Sequence, residues 1–325
     1  MKNFRTVRVL FPMLAILFCA YSCTSSKSSG TGASVAVSQD SVRLFVIGNS
    51  FSANSLYYLP QIVKNAGKKL VLGRAEIGGC SLKRHWDYAQ AFDKDPNDPQ
   101  GKQYSGKSLR TLLSNGKWDV ITLQQYSRES GDIDTYHPYL QQLVDYVKAI
   151  QPDAKIVIHQ TWAYRVDEKS FGFIKGEQKA SSQAEMYKYS SNAYYQAARE
   201  INADVWPVGD AYYQVDTDPV MGFKPDTKFV ASAAKAGELP DQTHSLHKGY
   251  VYEKGKLIYD GNHASPAGCY LGGLVWFAKL FNTPASTITY RPDEVDAAFA
   301  TYLRTVADDN VKPGKKNKRK NKIKA

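Results

Sequence analysis

Arg43-Leu44-Phe45-Val46-Ile47-Gly48-Asn49-Ser50-Phe51-Ser52 is the stretch around which the chain is organised. Leu44 to Ile47 is a short apolar, partly β-branched run bounded by a glycine, which predicts a buried strand. A helical pattern starts near Asn54 and carries Leu56, Leu59, Ile62 and Val63. Ser50 therefore falls where a core strand turns into a helix. In an open α/β sheet, ligands bind at the carboxyl ends of the strands. A helix start there offers N–H groups that the helix itself does not use. Ser50 is a candidate nucleophile on that ground, although Gly-Asn-Ser is also an ordinary turn sequence.

The same alternation continues outward. Lys69–Ala75, Trp118–Leu123, Lys155–His159 and Asp204–Val208 read as further strands, and Tyr139–Ile150 and Gln183–Glu200 as helices. An apolar helix with Leu271, Leu274, Val275, Phe277, Ala278 and Phe281 follows near the end. Strands alternating with helices predict one α/β domain with a mostly parallel five-stranded sheet covered on both faces. Asp93–Gly106 reads as a surface insertion. Asp216–Leu257 is long, mixed and rich in Gly, Pro, Asp and Lys, and reads as a loop insertion.

The chain has 325 residues and a formal net charge of +11. Three of the excess cations (Lys2, Arg5 and Arg8) lie in the first 23 residues and eight in the last 15, with no acid in either segment. The part between is near neutral, so the charge is no nucleic-acid footprint, and no nucleic-acid partner is expected. Residues 306–325 read as a basic, disordered tail. Lys2, Arg5 and Arg8 precede the apolar Val9–Ala20 run, which is short for a membrane span and reads as a signal sequence. It ends in Ala20-Tyr21-Ser22-Cys23, which resembles a bacterial lipobox. Residues 1–23 are then a lipoprotein signal with Cys23 as the lipidated residue, and the alternative is plain secretion with cleavage nearby. Residues 24–41, rich in Ser, Gly and Thr, read as a flexible tether. The expected location is the periplasm or cell surface, anchored to a membrane by lipid.

Nucleophilic acyl transfer needs a base beside the nucleophile, an orienter for that base, and donors for the oxyanion. Asp260 and His263 supply the first two at a three-residue spacing, although Asp-x-x-His also arises as a cap beside a packed histidine. Glu76-Ile77-Gly78-Gly79-Cys80-Ser81-Leu82 is a glycine-pair turn after the second strand, and Gln124-Gln125 follows the third. Taken in order over about Arg43–Phe281, these blocks resemble the SGNH hydrolases, the GDSL-like esterases and lipases, in a lipoprotein branch whose first block is Gly48-Asn49-Ser50. The resemblance implies a three-layer α/β/α sandwich of flavodoxin-like order over 42–305. It implies Ser50, His263 and Asp260 as catalytic residues, an oxyanion hole from Gly79 and Gln124, and no cofactor. The chain departs from the family pattern at Asn49, where the family has Asp, and at Gln124, where it has Asn; Gln125 is the alternate.

Asn49, His85, Trp86, Trp162 and Tyr164 are candidate substrate-binding residues by position. Asp241, His244 and His247 have a spacing that suits a metal but sit in a polar loop, and no metal is assigned. Cys80 and Cys269 are brought together by the converging motifs and form either a disulfide or two buried thiols. The expected activity is deacylation, such as deacetylation, of a carbohydrate or small-molecule ester. The competing readings are an acyltransferase on the same site and a catalytically inactive glycan-binding lipoprotein.

Overall fold

The computed structural model describes residues 40–312. The expected signal sequence with Cys23, nearly all of the expected tether and the residues from 313 on lie outside the described residues.

In chain order, β1 (Ser41–Gly48) leads into α1 (Ser50–Leu56) and α2 (Leu59–Asn65), and β2 (Lys69–Glu76) into α3 (Leu82–Lys94) and α4 (Leu109–Leu113). Next come β3 (Val120–Leu123), α5 (Tyr139–Ile150) and β4 (Lys155–His159). A small hairpin of β5 (Phe173–Lys175) and β6 (Gln178–Lys179) precedes α6 (Gln183–Glu200), β7 (Asp204–Trp206) and α7 (Val208–Asp216). The chain closes with β8 (His247–Glu253), β9 (Lys256–Ala264), α8 (Pro266–Phe281) and α9 (Ala297–Val311).

Five strands pair in parallel in the order β2-β1-β3-β4-β7, the doubly wound order with β1 and β3 at its centre. The two faces of β1 feed two separate cores. Val42, Leu44 and Val46 pack with residues of α1, α2, α7, α8 and α9, whereas Phe45 and Ile47 pack with residues of α3, α4, α5 and α6. A central strand buried on both faces needs a continuous apolar run, which is why Leu44–Ile47 lacks polar alternation. Helix α8 is buried nearly all round, as its apolar composition requires. It is capped by Ser265, whose hydroxyl accepts from Gly268 N–H, and has Pro266 at its first position.

Several boundaries differ from the sequence reading. The first helix begins at Ser50 rather than near Asn54 and is interrupted at Tyr57–Tyr58, where Pro60 opens α2 and has no N–H to continue the ladder. The stretch 93–106 is no simple surface insertion: it starts inside α3, and Gly101 and Tyr104 are buried. The loop expected over 216–257 contains β8 and the start of β9, an antiparallel hairpin closed by Lys254-Gly255 with φ of 51° and 75°. Both turn residues lie in the left-handed region, as a tight hairpin demands. Helix α9 runs to Val311, past the expected end of the domain at 305. Among the described residues, no helix is long and apolar enough to cross a membrane.

Candidate active site

Ser50 holds the first position of α1, directly beyond the carboxyl end of β1. Its hydroxyl lies 3.0 Å from His263 Nε2. His263 Nδ1 lies 2.9 and 3.1 Å from the two oxygens of Asp260. The carboxylate can only accept, so Nδ1 carries the proton, and Nε2 is left as the acceptor for the Ser50 hydroxyl. Asp260 also accepts the backbone N–H of His263 at 3.0 Å and of Asn262 at 3.4 Å. Burial alone would raise the Asp260 carboxyl. The hydrogen bonds from the His263 side chain and backbone outweigh it and hold the group down at about 2, so the orienting charge is present at neutral pH.

Asp260 and His263 lie at the end of β9, and the chain after β4 holds that end in place. Trp162 Nε1 donates to Asn262 O at 2.9 Å, Arg165 N–H to Gly261 O at 2.8 Å, and His247 Nε2 to Ala163 O at 2.9 Å. The Arg165 guanidinium, almost wholly buried, bonds both oxygens of Asp167, and Tyr259 of β9 donates to the same carboxylate at 2.7 Å. From the other side, Asn54 of α1 accepts the Ala264 N–H at 3.1 Å, tying the residue after the histidine to the helix that carries Ser50. Asn54, Arg165 and the hairpin are parts of the site that the sequence reading did not identify. The Lys254-Gly255 pair was the turn signal available for the hairpin.

The two departures from the family pattern meet in space. Asn49, 1% exposed, accepts Phe51 N–H on Oδ1 at 3.0 Å and so caps α1. Its Nδ2 donates to Cys80 O at 3.0 Å, and Gln124 Nε2 donates to Asn49 Oδ1 at 2.7 Å. The other end of the Gln124 amide, Oε1, takes the Ser52 hydroxyl and faces His159 Nδ1 at 3.0 Å. Gln124, expected as an oxyanion donor, has its amide placed as a brace on Asn49. Gln125 donates to Thr135 and accepts from Leu82 and Tyr126 N–H, and is a brace of its own. Gly79 lies in the turn after β2 with φ +61°, a left-handed conformation in which glycine is unstrained.

Other candidates separate into floor and rim. Asn49 is buried and is no substrate contact. His85 is fully buried between Tyr104 OH (2.7 Å) and Gly48 O (3.2 Å), and burial holds its imidazole near 4, in the neutral form. Trp86 packs in the second core against Tyr146. Trp162 is buried, stacked on Tyr212 at 4.4 Å, and supports the His263 turn from below. Tyr164 does line an open cleft of about 410 Å³ beside His263, together with Tyr126, Tyr259, Arg128, Lys248 and Glu168. Ser52, the neighbouring hydroxyl, is buried. His244 stacks on Phe299, His247 is engaged by Ala163, and Asp241 accepts Thr243 N–H, so the three residues have separate partners. Cys80 and Cys269 are both buried free thiols.

The parallel five-stranded sheet in the order β2-β1-β3-β4-β7, flanked by helices and with Ser50 just beyond the end of its first strand, is the flavodoxin-like α/β architecture expected from the sequence. Residues 43–222 match the family model described as Domain of unknown function (DUF4886), and the chain belongs to that family. It is similar to the crystal structure of a DUF4886 family protein from Bacteroides uniformis, with 24% identity and a TM-score of 0.65 over 84% of this chain and 95% of that one. That likeness establishes a shared fold. A structure described as a "putative GDSL-like lipase" from Parabacteroides merdae matches at 14% identity and a TM-score of 0.40, over 75% of this chain and 96% of that one. A likeness at that level carries nothing about activity. No curated protein matches the chain.

Proposed function

We propose that this protein is a serine esterase that removes an acyl group, such as acetyl, from a carbohydrate. The observation that carries this reading is the unbroken line Asp260–His263–Ser50, with contacts of 2.9 and 3.0 Å, at the carboxyl edge of a parallel sheet.

Ser50 Oγ attacks the ester carbonyl carbon while His263 Nε2 takes the hydroxyl proton. The C–O bond to the alcohol breaks, and His263 returns the proton to the departing alkoxide. Water then attacks the acyl-serine by the same route and releases the acid. Asp260 stays ionised throughout, keeps the imidazole in the Nδ1–H tautomer and stabilises the imidazolium. The Ser50 and Gly79 N–H groups are the oxyanion donors in this scheme; no cofactor enters it.

The carbohydrate part rests on the open cleft with Tyr126, Tyr164 and Tyr259 beside His263, since tyrosines offer an apolar face and a polar tip to a sugar ring. The site of action rests on the lipobox-like Ala20–Cys23 run: a Cys23-linked lipid would hold the enzyme at a membrane facing exported or external glycans. The test is acetate release from a panel of acetylated oligosaccharides and from an aryl acetate. Release from the sugars that disappears in Ser50→Ala is expected. Absence of hydrolysis with every ester, in a folded wild-type protein, would count against the enzyme reading.

A further inference from the structure

We infer that Asn49 is a positioning residue that sets the distance between the two oxyanion donors; the inference rests on the esterase reading above. One side-chain amide touches both walls of the prospective hole. Its Oδ1 holds Phe51 N–H, one residue after Ser50 on α1, and its Nδ2 holds Cys80 O, one residue after Gly79 in the turn beyond β2.

The hydrogen-bond polarity of this bridge has only one solution. Phe51 N–H is a fixed donor, so the atom of Asn49 that meets it is oxygen. The atom that meets the Cys80 carbonyl is then the NH₂ group, as that contact requires. Gln124 must next present its own NH₂ to Asn49 Oδ1, which leaves Gln124 Oε1 to receive donors. It receives them from the Ser52 hydroxyl and from His159 Nδ1, and burial holds the His159 imidazole neutral, near 3. His159 Nε2 lies 3.4 Å from Ser55 Oγ. The ends of β1, β3 and β4 and the turn after β2 are thereby joined by one buried chain in which no amide can flip without breaking a bond. The Asn at position 49 and the Gln at position 124 are thus a matched pair: Gln124 acts through Asn49, and Asn49 acts through the backbone on either side of the acyl oxygen.

Two substitutions separate bridging from mere capping. Asn49→Ser keeps a good helix cap but cannot reach the Cys80 carbonyl. Asn49→Asp keeps the shape, the cap and the Gln124 bond, but turns an acceptor toward that carbonyl. Each variant is predicted to lower kcat on an aryl acetate by roughly 10- to 100-fold with KM within about twofold, as expected for an oxyanion donor moved off its mark. Amide hydrogen exchange in the peptide spanning Ile77–Leu82 is predicted to quicken in both variants, and elsewhere to stay as in wild type. A cap-only role predicts wild-type kcat in both, and that result would overturn the inference. Slowed turnover with unchanged exchange at the turn would also overturn it while leaving the esterase reading standing. A folded wild type without esterase activity would remove the esterase reading, and with it the catalytic half of the inference.

Discussion

Asp260→Asn tests the electrostatics of the site in depth. The substitution is nearly isosteric, so the fold of the β9 end should survive, but the acceptor set changes. Asp260 Oδ1 serves the His263 and Asn262 N–H groups, which fixes the amide oxygen there and turns the new NH₂ toward His263 Nδ1. Two donors then face each other, and the imidazole escapes by moving its proton to Nε2. In that tautomer it cannot accept the Ser50 proton. Loss of the correct tautomer is predicted to lower kcat by about 10³- to 10⁴-fold. Stability should fall as well. The Asp260 carboxyl drops from its ordinary 3.8 to about 2, which corresponds to about 2 kcal/mol if fully expressed. Its side chain is 18% exposed and that of His263 37%, so solvent screening reduces the expected cost to about 1–2 kcal/mol. Because the folded value lies below the ordinary one, this contribution is complete at neutral pH. It is lost as pH falls from about 4 through about 2. The assays are aryl acetate turnover at pH 7.5 and thermal unfolding at about pH 7 and about pH 2. The variant should melt about 2–6 °C lower at the first pH, with the gap nearly closed at the second. A variant with kcat within tenfold of wild type would refute the orienting role of Asp260, whatever its melting temperature.

Other outcomes follow from the same contacts. Gly249 has φ +64°, and a Cβ there would overlap the Arg165 guanidinium and the Gln242 side-chain oxygen, so Gly249→Ala should cost about 2 kcal/mol or more in chemical denaturation and reduce turnover by displacing the hairpin that carries His263. Gln124→Ala should lower kcat by roughly 10-fold or more, because it leaves Asn49 unbraced, and should exceed the effect of Gln125→Ala; a reversed order measured on the same substrate would refute the bracing role of Gln124. Cys23→Ala should abolish incorporation of labelled fatty acid into the full chain; a wild-type chain whose mature N-terminus is not Cys23 would end the lipoprotein reading.

The parallel sheet was legible because its central strands are buried on both faces and therefore read as mostly apolar runs, as at Leu44–Ile47 and, with Thr122 the one polar residue, at Val120–Leu123. The Asp260–His263 spacing was legible because both residues lie on one short stretch. Less legible was α3, whose exposed face is polar and whose first turn carries Lys83 and Arg84. The hairpin of β8 and β9 was hidden because its residues are mostly half-buried and lack a strong apolar alternation, although Lys254-Gly255 was a usable turn signal. Asn49 and Gln124 were visible as departures from a family pattern, but their pairing spans 75 positions and is a property of the sheet order alone. The same holds for Asn54 and Ala264, 210 positions apart, and for Trp162 under Asn262. His85 and Trp86 were misplaced toward the cleft because the sequence does not tell which face of α3 meets the sheet.

Covalent labelling with a fluorophosphonate, followed by peptide mapping, tests the central claim most directly. The phosphonyl group should be found on Ser50, in the peptide that follows Gly48-Asn49, and Ser50→Ala should remove all labelling while the protein stays folded. Ser52, two residues on, should stay unmodified because it is buried with its hydroxyl given to Gln124. Labelling on another residue, or ester hydrolysis surviving Ser50→Ala at near the wild-type rate, would contradict the account.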